Sequence, residues 1–240
     1  IGRIIRKVST ILTKLYATTL FACGNDAAKW MWGEKAFRKN KIYIMKNAVF
    51  ADKFSFSAAK RDELRKELGL ENKFVIGNVA RITYQKNQEF LVDAFAEIKK
   101  TRDDAVLLLV GRGDAEEKIK KQVSDLGLND SVVFTGVRND VPDLLNVMDV
   151  FVLPSRFEGL PVTLIEIQAN GLPGVISDAV TKEMNFSEDL KFLPLSESFE
   201  EWAKVISSNG RKESVNTVEN TSYDLKLATE DLKNKYLSMI

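Results

Sequence analysis

From residue 73 onward the chain repeats one unit, a short unbroken aliphatic run followed by an amphipathic stretch. Phe74-Val75-Ile76-Gly77-Asn78-Val79 and Val106-Leu107-Leu108-Leu109-Val110 are the clearest runs. Val132-Val133-Phe134, Val150-Phe151-Val152-Leu153, Gly174-Val175-Ile176 and Phe192-Leu193 continue the series. A strand with one wet face alternates apolar and polar residues, so runs without alternation are strands covered on both faces, as in a parallel sheet. The stretches between them predict helices over 87–100, 115–126, 142–148, 162–170 and 200–207. Strand and helix in alternation, joined by short glycine-containing turns, specify an α/β domain with a doubly wound parallel sheet, Rossmann-like in kind.

The first 50 residues read differently. They hold ten Lys/Arg against Asp26 and Glu34, a net +8, although the whole chain is only +1. That asymmetry suggests two pieces in different surroundings, while the near-zero total gives no global pull toward nucleic acid. Ile4, Ile5, Val8, Ile11, Leu12 and Leu15 recur at helical spacing with Arg3, Arg6, Lys7 and Lys14 between them. The pattern fits a basic helix lying on a membrane surface, or a domain helix whose cations are solvated. A strand at 20–22, a helix over 26–36 and a strand at 42–45 follow. A last helix over 223–239 carries Leu225, Leu232, Tyr236 and Met239 on one stripe. The chain opens at Ile1 inside a helical pattern and reads as a piece of a longer protein. The expected division is 1–50 as the incomplete end of one domain, 51–222 as the α/β domain, and 223–240 as a helix returning toward the first.

Composition removes several classes of chemistry. There is no histidine, which excludes Ser-His-Asp and Cys-His nucleophile systems and the common zinc-enzyme sites. Cys23 is the sole cysteine, so no intrachain disulfide forms, and a reducing cytoplasm suits the chain. No apolar run approaches the ~20 residues that span a bilayer.

In an open parallel sheet ligands bind beyond the carboxyl ends of the strands, so chemistry is sought in the loops that follow them. After the first strand, Arg81 and Lys86 stand five residues apart on one loop, a spacing that suits the two phosphates of a diphosphate or two solvated surface cations. After the second, Gly111-Arg112-Gly113-Asp114 opens a helix without matching a Walker loop or a dinucleotide fingerprint. Its Arg-Gly-Asp triplet is an adhesion sequence, but in a strand-to-helix turn Asp114 reads as an N-cap. The fourth strand ends in Pro154-Ser155-Arg156-Phe157-Glu158-Gly159-Leu160-Pro161-Val162, and Glu166 follows within the next helix. Eight residues of helix rise about 12 Å and turn about 80°, so Glu158 and Glu166 can border one cleft, with helix N–H groups between them. Read blandly, they are a first-turn acid and a surface acid.

These residues resemble the signature of the family 4 glycosyltransferases. Glu158-x7-Glu166 lies between Pro154-Ser155 and Gly171-Leu172-Pro173; Arg81 and Lys86 stand upstream, and Val137-Arg138 follow Phe134-Thr135-Gly136. Four motifs in order over about residues 41–240 carry the likeness, which is nearest to capsular and exopolysaccharide transferases. It implies the C-terminal donor-binding domain of a retaining GT-B enzyme, with a remnant of the N-terminal domain. Carried over by position, Arg81 and Lys86 would hold the diphosphate and Glu166 the ribose. Glu158 would face the donor sugar, with backbone donors from Gly159, Leu160 and Val162, and Val137 and Arg138 would border the base. No metal or other cofactor is implied. The implied partners are a nucleotide sugar, with UDP expected, and a glycan or lipid-linked glycan acceptor. Any peripheral contact with the inner membrane face would be made through the N-terminal domain. That domain's glycine-rich loop and histidine have no match here, so transfer by these residues alone is not expected. A nucleotide-sugar 2-epimerase and a non-catalytic nucleotide-sugar-binding module remain alternatives. A nicotinamide dehydrogenase has least support, since no suitable glycine fingerprint follows a strand.

Overall fold

The structure is a computed structural model that describes residues 2–212 and 214–239, with side chains from residue 9 onward. Its contacts separate two units, Ile1–Val49 with Asn220–Ile240, and Phe50–Glu219.

In the first unit, helix α1 (Gly2–Tyr16) leads to strand β1 (Leu20–Ala22), helices α2 (Asn25–Trp32) and α3 (Glu34–Arg38), and strand β2 (Ile42–Ile44). β1 and β2 pair in parallel, Leu20 opposite Ile42 and Ala22 opposite Ile44. The single helix expected over 26–36 is broken in two, because Gly33 sits between α2 and α3 at φ 87°, outside the helical basin. Phe21 meets Tyr43 edge-on at 5.4 Å and stacks at 6.1 Å on Tyr236 of the C-terminal helix, Leu225–Leu237. That helix begins two residues later than expected, where Asp224 accepts the Lys226 N–H as its cap. On α1, Arg3, Ile4, Ile5, Arg6, Lys7 and Val8 lie outside the residues whose side chains are described, while Ile11, Leu12 and Leu15 are exposed. Among the described residues no helix is long and apolar enough to cross a membrane.

The second unit opens with a 3-10 turn (Ala51–Phe54) and helix α4 (Ala58–Glu67). Strand and helix then alternate as β3 (Phe74–Val79), α5 (Gln88–Lys99), β4 (Ala105–Val110), α6 (Glu116–Asp125), β5 (Val132–Gly136) and α7 (Val141–Val147). They continue as β6 (Val150–Leu153), α8 (Val162–Ala169), β7 (Gly174–Ser177), β8 (Leu190–Leu193) and α9 (Phe199–Ser208). The six strands form one parallel sheet in the order β5-β4-β3-β6-β7-β8, the architecture that the unbroken aliphatic runs require. One face of the sheet is covered by α5, α6 and α9, whose Leu91, Phe95, Ile98, Ile119 and Trp202 pack on Ile76, Leu107, Leu109 and Val152. Helix α4 was not foreseen. Only Leu64 of it is buried, so it shows no apolar period; its one local sign is Ser57, whose Oγ accepts the Lys60 N–H as N-cap.

The strand order reverses between β3 and β6, which pair over only two positions, Ile76 with Val150 and Gly77 with Phe151. The amino end of this short seam is reinforced by Asp149. Its carboxylate accepts the Val75 N–H at 2.7 Å and pairs with Arg65 at 2.5 Å and with Arg61. The two guanidiniums also take up the carbonyls of Asn146, Val147 and Met148 at the end of α7, where the helix dipole favours cations. None of the three side chains is more than 18% exposed. Asp149→Ala leaves two half-desolvated cations and a backbone N–H without their acceptor, which should cost about 3 kcal/mol. Urea denaturation followed by circular dichroism measures this; a loss below about 1 kcal/mol would mean the seam holds without it.

Candidate functional site

Because every strand of the sheet is parallel, the loops after β3, β4, β5 and β6 all leave from one edge, and the reversal between β3 and β6 opens a crevice there. The backbone of the β3 loop is pinned against the β4 loop. Ile82, nearly fully buried, donates its N–H to the Arg112 carbonyl and accepts from the Ala115 N–H, at 3.0 and 3.1 Å. So close an approach needs glycine, since a Cβ on Gly113 would lie 2.0 Å from the Ile82 carbonyl oxygen. The expected N-cap at Asp114 does not form. Helix α6 starts at Glu116 after an uncapped Ala115, which places Asp114 one residue too early to reach the helix N–H groups.

The β3 and β6 loops are laced together. Asn87 Nδ2 donates to the Pro154 carbonyl, Gln85 Nε2 to the Phe157 carbonyl, and the Arg156 N–H to the Gln85 carbonyl, all between 2.9 and 3.0 Å. Arg156 also lies over the Tyr84 ring at 4.3 Å. At the centre, Lys86 Nζ stands 2.6 Å from Glu158 Oε1, which also accepts from Ser155 Oγ at 3.0 Å. Lys86 is 20% and Glu158 9% exposed. Lys86 and Glu158, to which the family resemblance assigns separate tasks, thus form one ion pair. Glu158 is further fixed by an isolated parallel bridge to Val180.

The other candidate residues are not joined to this pair. Arg81 is exposed, and among the described residues its guanidinium has no hydrogen-bond or ion-pair partner. Glu166 is half-buried within α8, and burial raises its carboxyl above the usual carboxylate range with no cation to oppose the shift. Helix α8 has Pro161 at its N-cap, no side-chain cap and no acid in its first turn; the Leu164 N–H bonds the Pro161 carbonyl at 3.0 Å, and the Val162 and Thr163 N–H groups ahead of it have no partner among the described residues. Gly159 and Val162 at its entry are exposed and Leu160 half-buried. After β5, Val137 is exposed, whereas Arg138 is engaged by Asp140 through two bonds of 2.8 and 2.5 Å. That pairing raises the Arg138 pKa and lowers that of Asp140. Sequence reasoning missed the lacing side chains Gln85, Asn87 and Arg156 and the buried amides Asn78 and Gln88. The available signal was Asn78, a lone amide in an otherwise apolar strand. Among the described residues no group of three or more His, Cys, Asp or Glu is placed to hold a metal ion.

Comparison with known proteins gives a consistent picture. Residues 60–208 match the family described as "Glycosyl transferases group 1". The chain is 34% identical over 193 residues to a Bacillus subtilis strain 168 protein named as glycosyltransferase EpsF, covering 80% of this chain and 50% of that one. It is 37% identical over 142 residues to the Escherichia coli UDP-Gal:alpha-D-GlcNAc-diphosphoundecaprenol alpha-1,3-galactosyltransferase, covering 58% of this chain and 37% of that one. The chain therefore spans half or less of the length of these relatives. Among solved structures, Anabaena Alr3699/HepE in complex with UDP-glucose superposes with a TM-score of 0.83 at 22% identity, over 99% of this chain and 68% of that one.

The raised pKa of Glu166 has a stability consequence. Its proton is held more tightly in the folded than in the unfolded chain, so folding is favoured below the unfolded value near 4.5 and loses stability as pH rises through the raised folded value. Glu166→Gln should remove that loss, making the variant more stable than the parent at pH 7 and equal to it at pH 4. Urea midpoints across this range measure the effect; a variant less stable than the parent at pH 7 would show that Glu166 has a stabilising partner.

Proposed function

Since the chain belongs to the glycosyl transferases group 1 family, we propose that its α/β unit binds a UDP-sugar. The protein then passes that sugar, with retention of configuration, to a glycan growing in exopolysaccharide biosynthesis. The acceptor is a lipid-linked glycan at the cytoplasmic membrane face. Family membership favours transfer over the epimerase reading. The choice of UDP draws on the E. coli relative, named for UDP-Gal, and on the Anabaena structure with UDP-glucose.

The observation that carries the proposal is the division of charge at the crevice. Among the described residues Arg81 and the Glu166 carboxylate have no partner, while Lys86 and Glu158 neutralise each other between the two loops. A carboxylate kept half-buried with no cation beside it among the described residues costs stability, and such groups gather at ligand sites. Glu166 accepts the ribose hydroxyls, and Arg81 with the open N–H groups of α8 takes the diphosphate. As phosphate enters, Lys86 exchanges Glu158 for a phosphate oxygen, and the Glu158 carboxylate is released toward the sugar. When the bond from the anomeric carbon to the β-phosphate oxygen breaks, the cations stabilise the departing UDP, and Glu158 stabilises the positive charge growing on the sugar. The acceptor oxygen bonds to that carbon from the face that UDP leaves, and its proton passes to the diphosphate. Charged side chains and helix N–H groups fill the place a metal takes in other transferases.

Calorimetric titration separates these roles. Arg81→Ala, Lys86→Ala and Glu166→Ala should each weaken UDP about tenfold or more, the loss of one charge-assisted hydrogen bond of roughly 1.5–3 kcal/mol. Glu158→Ala should bind UDP as tightly as the parent or more tightly, because Lys86 is freed, yet gain nothing when UDP-glucose or UDP-galactose replaces UDP. If Glu158→Ala loses UDP as badly as Arg81→Ala, its assignment to the sugar is wrong.

A further inference from the structure

Beneath the loop that carries Arg81 and Lys86 lie two amides that donor binding does not touch. Asn78 is in β3 and Gln88 opens α5, and each is 1% exposed. Gln88 Nε2 donates to Asn78 Oδ1 and to the Arg81 carbonyl, both at 3.1 Å, and its Oε1 accepts the Thr83 N–H at 3.3 Å. Asn78 Nδ2 donates to the Val152 carbonyl of β6 at 2.8 Å.

The partners of Gln88 are two successive peptide groups. The Arg81 carbonyl and the Ile82 N–H belong to one plane, held by Gln88 at one end and the Arg112 carbonyl at the other. The Ile82 carbonyl and the Thr83 N–H belong to the next, held by the Ala115 N–H and again by Gln88. The first plane joins the Arg81 Cα on its carboxyl side and the second holds Ile82 behind it, so the backbone that carries Arg81 is held on that side. Asn78 then ties this clamp to β6, the strand whose loop carries Glu158. Amides in an apolar interior are costly unless fully bonded, and apolar residues of the same shape fill such space at no loss of stability.

We infer that Gln88, braced by Asn78, is the positioning element that aims Arg81 at the donor diphosphate and keeps it in register with the Glu158 loop. The inference rests on the donor-binding reading above. A displacement of about 1 Å at a charged contact is enough to lose most of its contribution to binding or rate.

A double-mutant cycle on UDP affinity tests this, with urea denaturation confirming that each variant is folded. Gln88→Met should weaken UDP about tenfold. In an Arg81→Ala background the same change should cost less than about twofold, since nothing is left to aim. In a Glu166→Ala background it should again cost about tenfold, whereas a general loosening of the domain would act alike in both backgrounds. If Gln88→Met does not fold, Gln88→Glu, which keeps the acceptor for Thr83 and removes both donors, is carried through the same cycle. Unchanged UDP affinity in the Gln88 variant, or an equal loss in both backgrounds, overturns the inference while the donor site stands. If Arg81→Ala itself leaves UDP affinity unchanged, the donor-site reading falls and this inference falls with it.

Discussion

The seam between β3 and β6 is the constraint on which the rest of the second unit depends. It is where the strand order reverses, and its ladder is only two positions long. The pairing is extended at both ends by side chains. At the amino end Asp149 gathers Val75, Arg61 and Arg65. At the carboxyl end Asn78 reaches Val152, Asn87 reaches Pro154, and Gln85 and Arg156 cross between the loops. A short ladder with polar staples at its ends leaves a crevice over its carboxyl edge, and the proposed donor site occupies it. Stability and function are thus drawn from one junction, with the charged staple away from the crevice and the amide staples beneath it.

Charge is handled in opposite ways at the two ends of the seam. Around Asp149 the guanidiniums find carbonyl and carboxylate acceptors, so the cluster is satisfied and serves the fold. At the crevice satisfaction is partial. Lys86 and Glu158 are joined, but Arg81 has no partner among the described residues, and the Glu166 carboxyl is raised by burial alone. On the donor-binding proposal, such a pair, beside groups with no partner among the described residues, suits an anion bearing a diol.

The sheet was legible in the sequence because the signal for a strand buried on both faces is strong and local. The runs at 74–79, 106–110 and 150–153 needed nothing beyond their own residues. What was not legible depends on partners far along the chain. Helix α4 buries only Leu64 and so carries no period. Asp114 has the chemistry of a cap, but the position of the α6 start is set by the Ala115 N–H bonding to Ile82, thirty-three residues earlier. At the site, motif spacing singles out Arg81, Lys86, Glu158 and Glu166; the loops of the first three leave one sheet edge, and Glu166 lies inside helix α8. Spacing could not show that Lys86 and Glu158 meet, nor that Gln88 works from below, since both facts arise from the β3–β6 neighbourhood.

On the donor-binding proposal, the Lys86–Glu158 pair is the resting form of a site that opens to a nucleoside diphosphate. A crystal structure of the chain with UDP tests it most directly. The complex should show Lys86 Nζ withdrawn from Glu158 and bonded to a phosphate oxygen, Arg81 on the same diphosphate, and the Glu166 carboxylate on the ribose hydroxyls. UDP bound elsewhere on the domain, or bound at the crevice with Lys86 and Glu158 still 2.6 Å apart and Glu166 free, would contradict it.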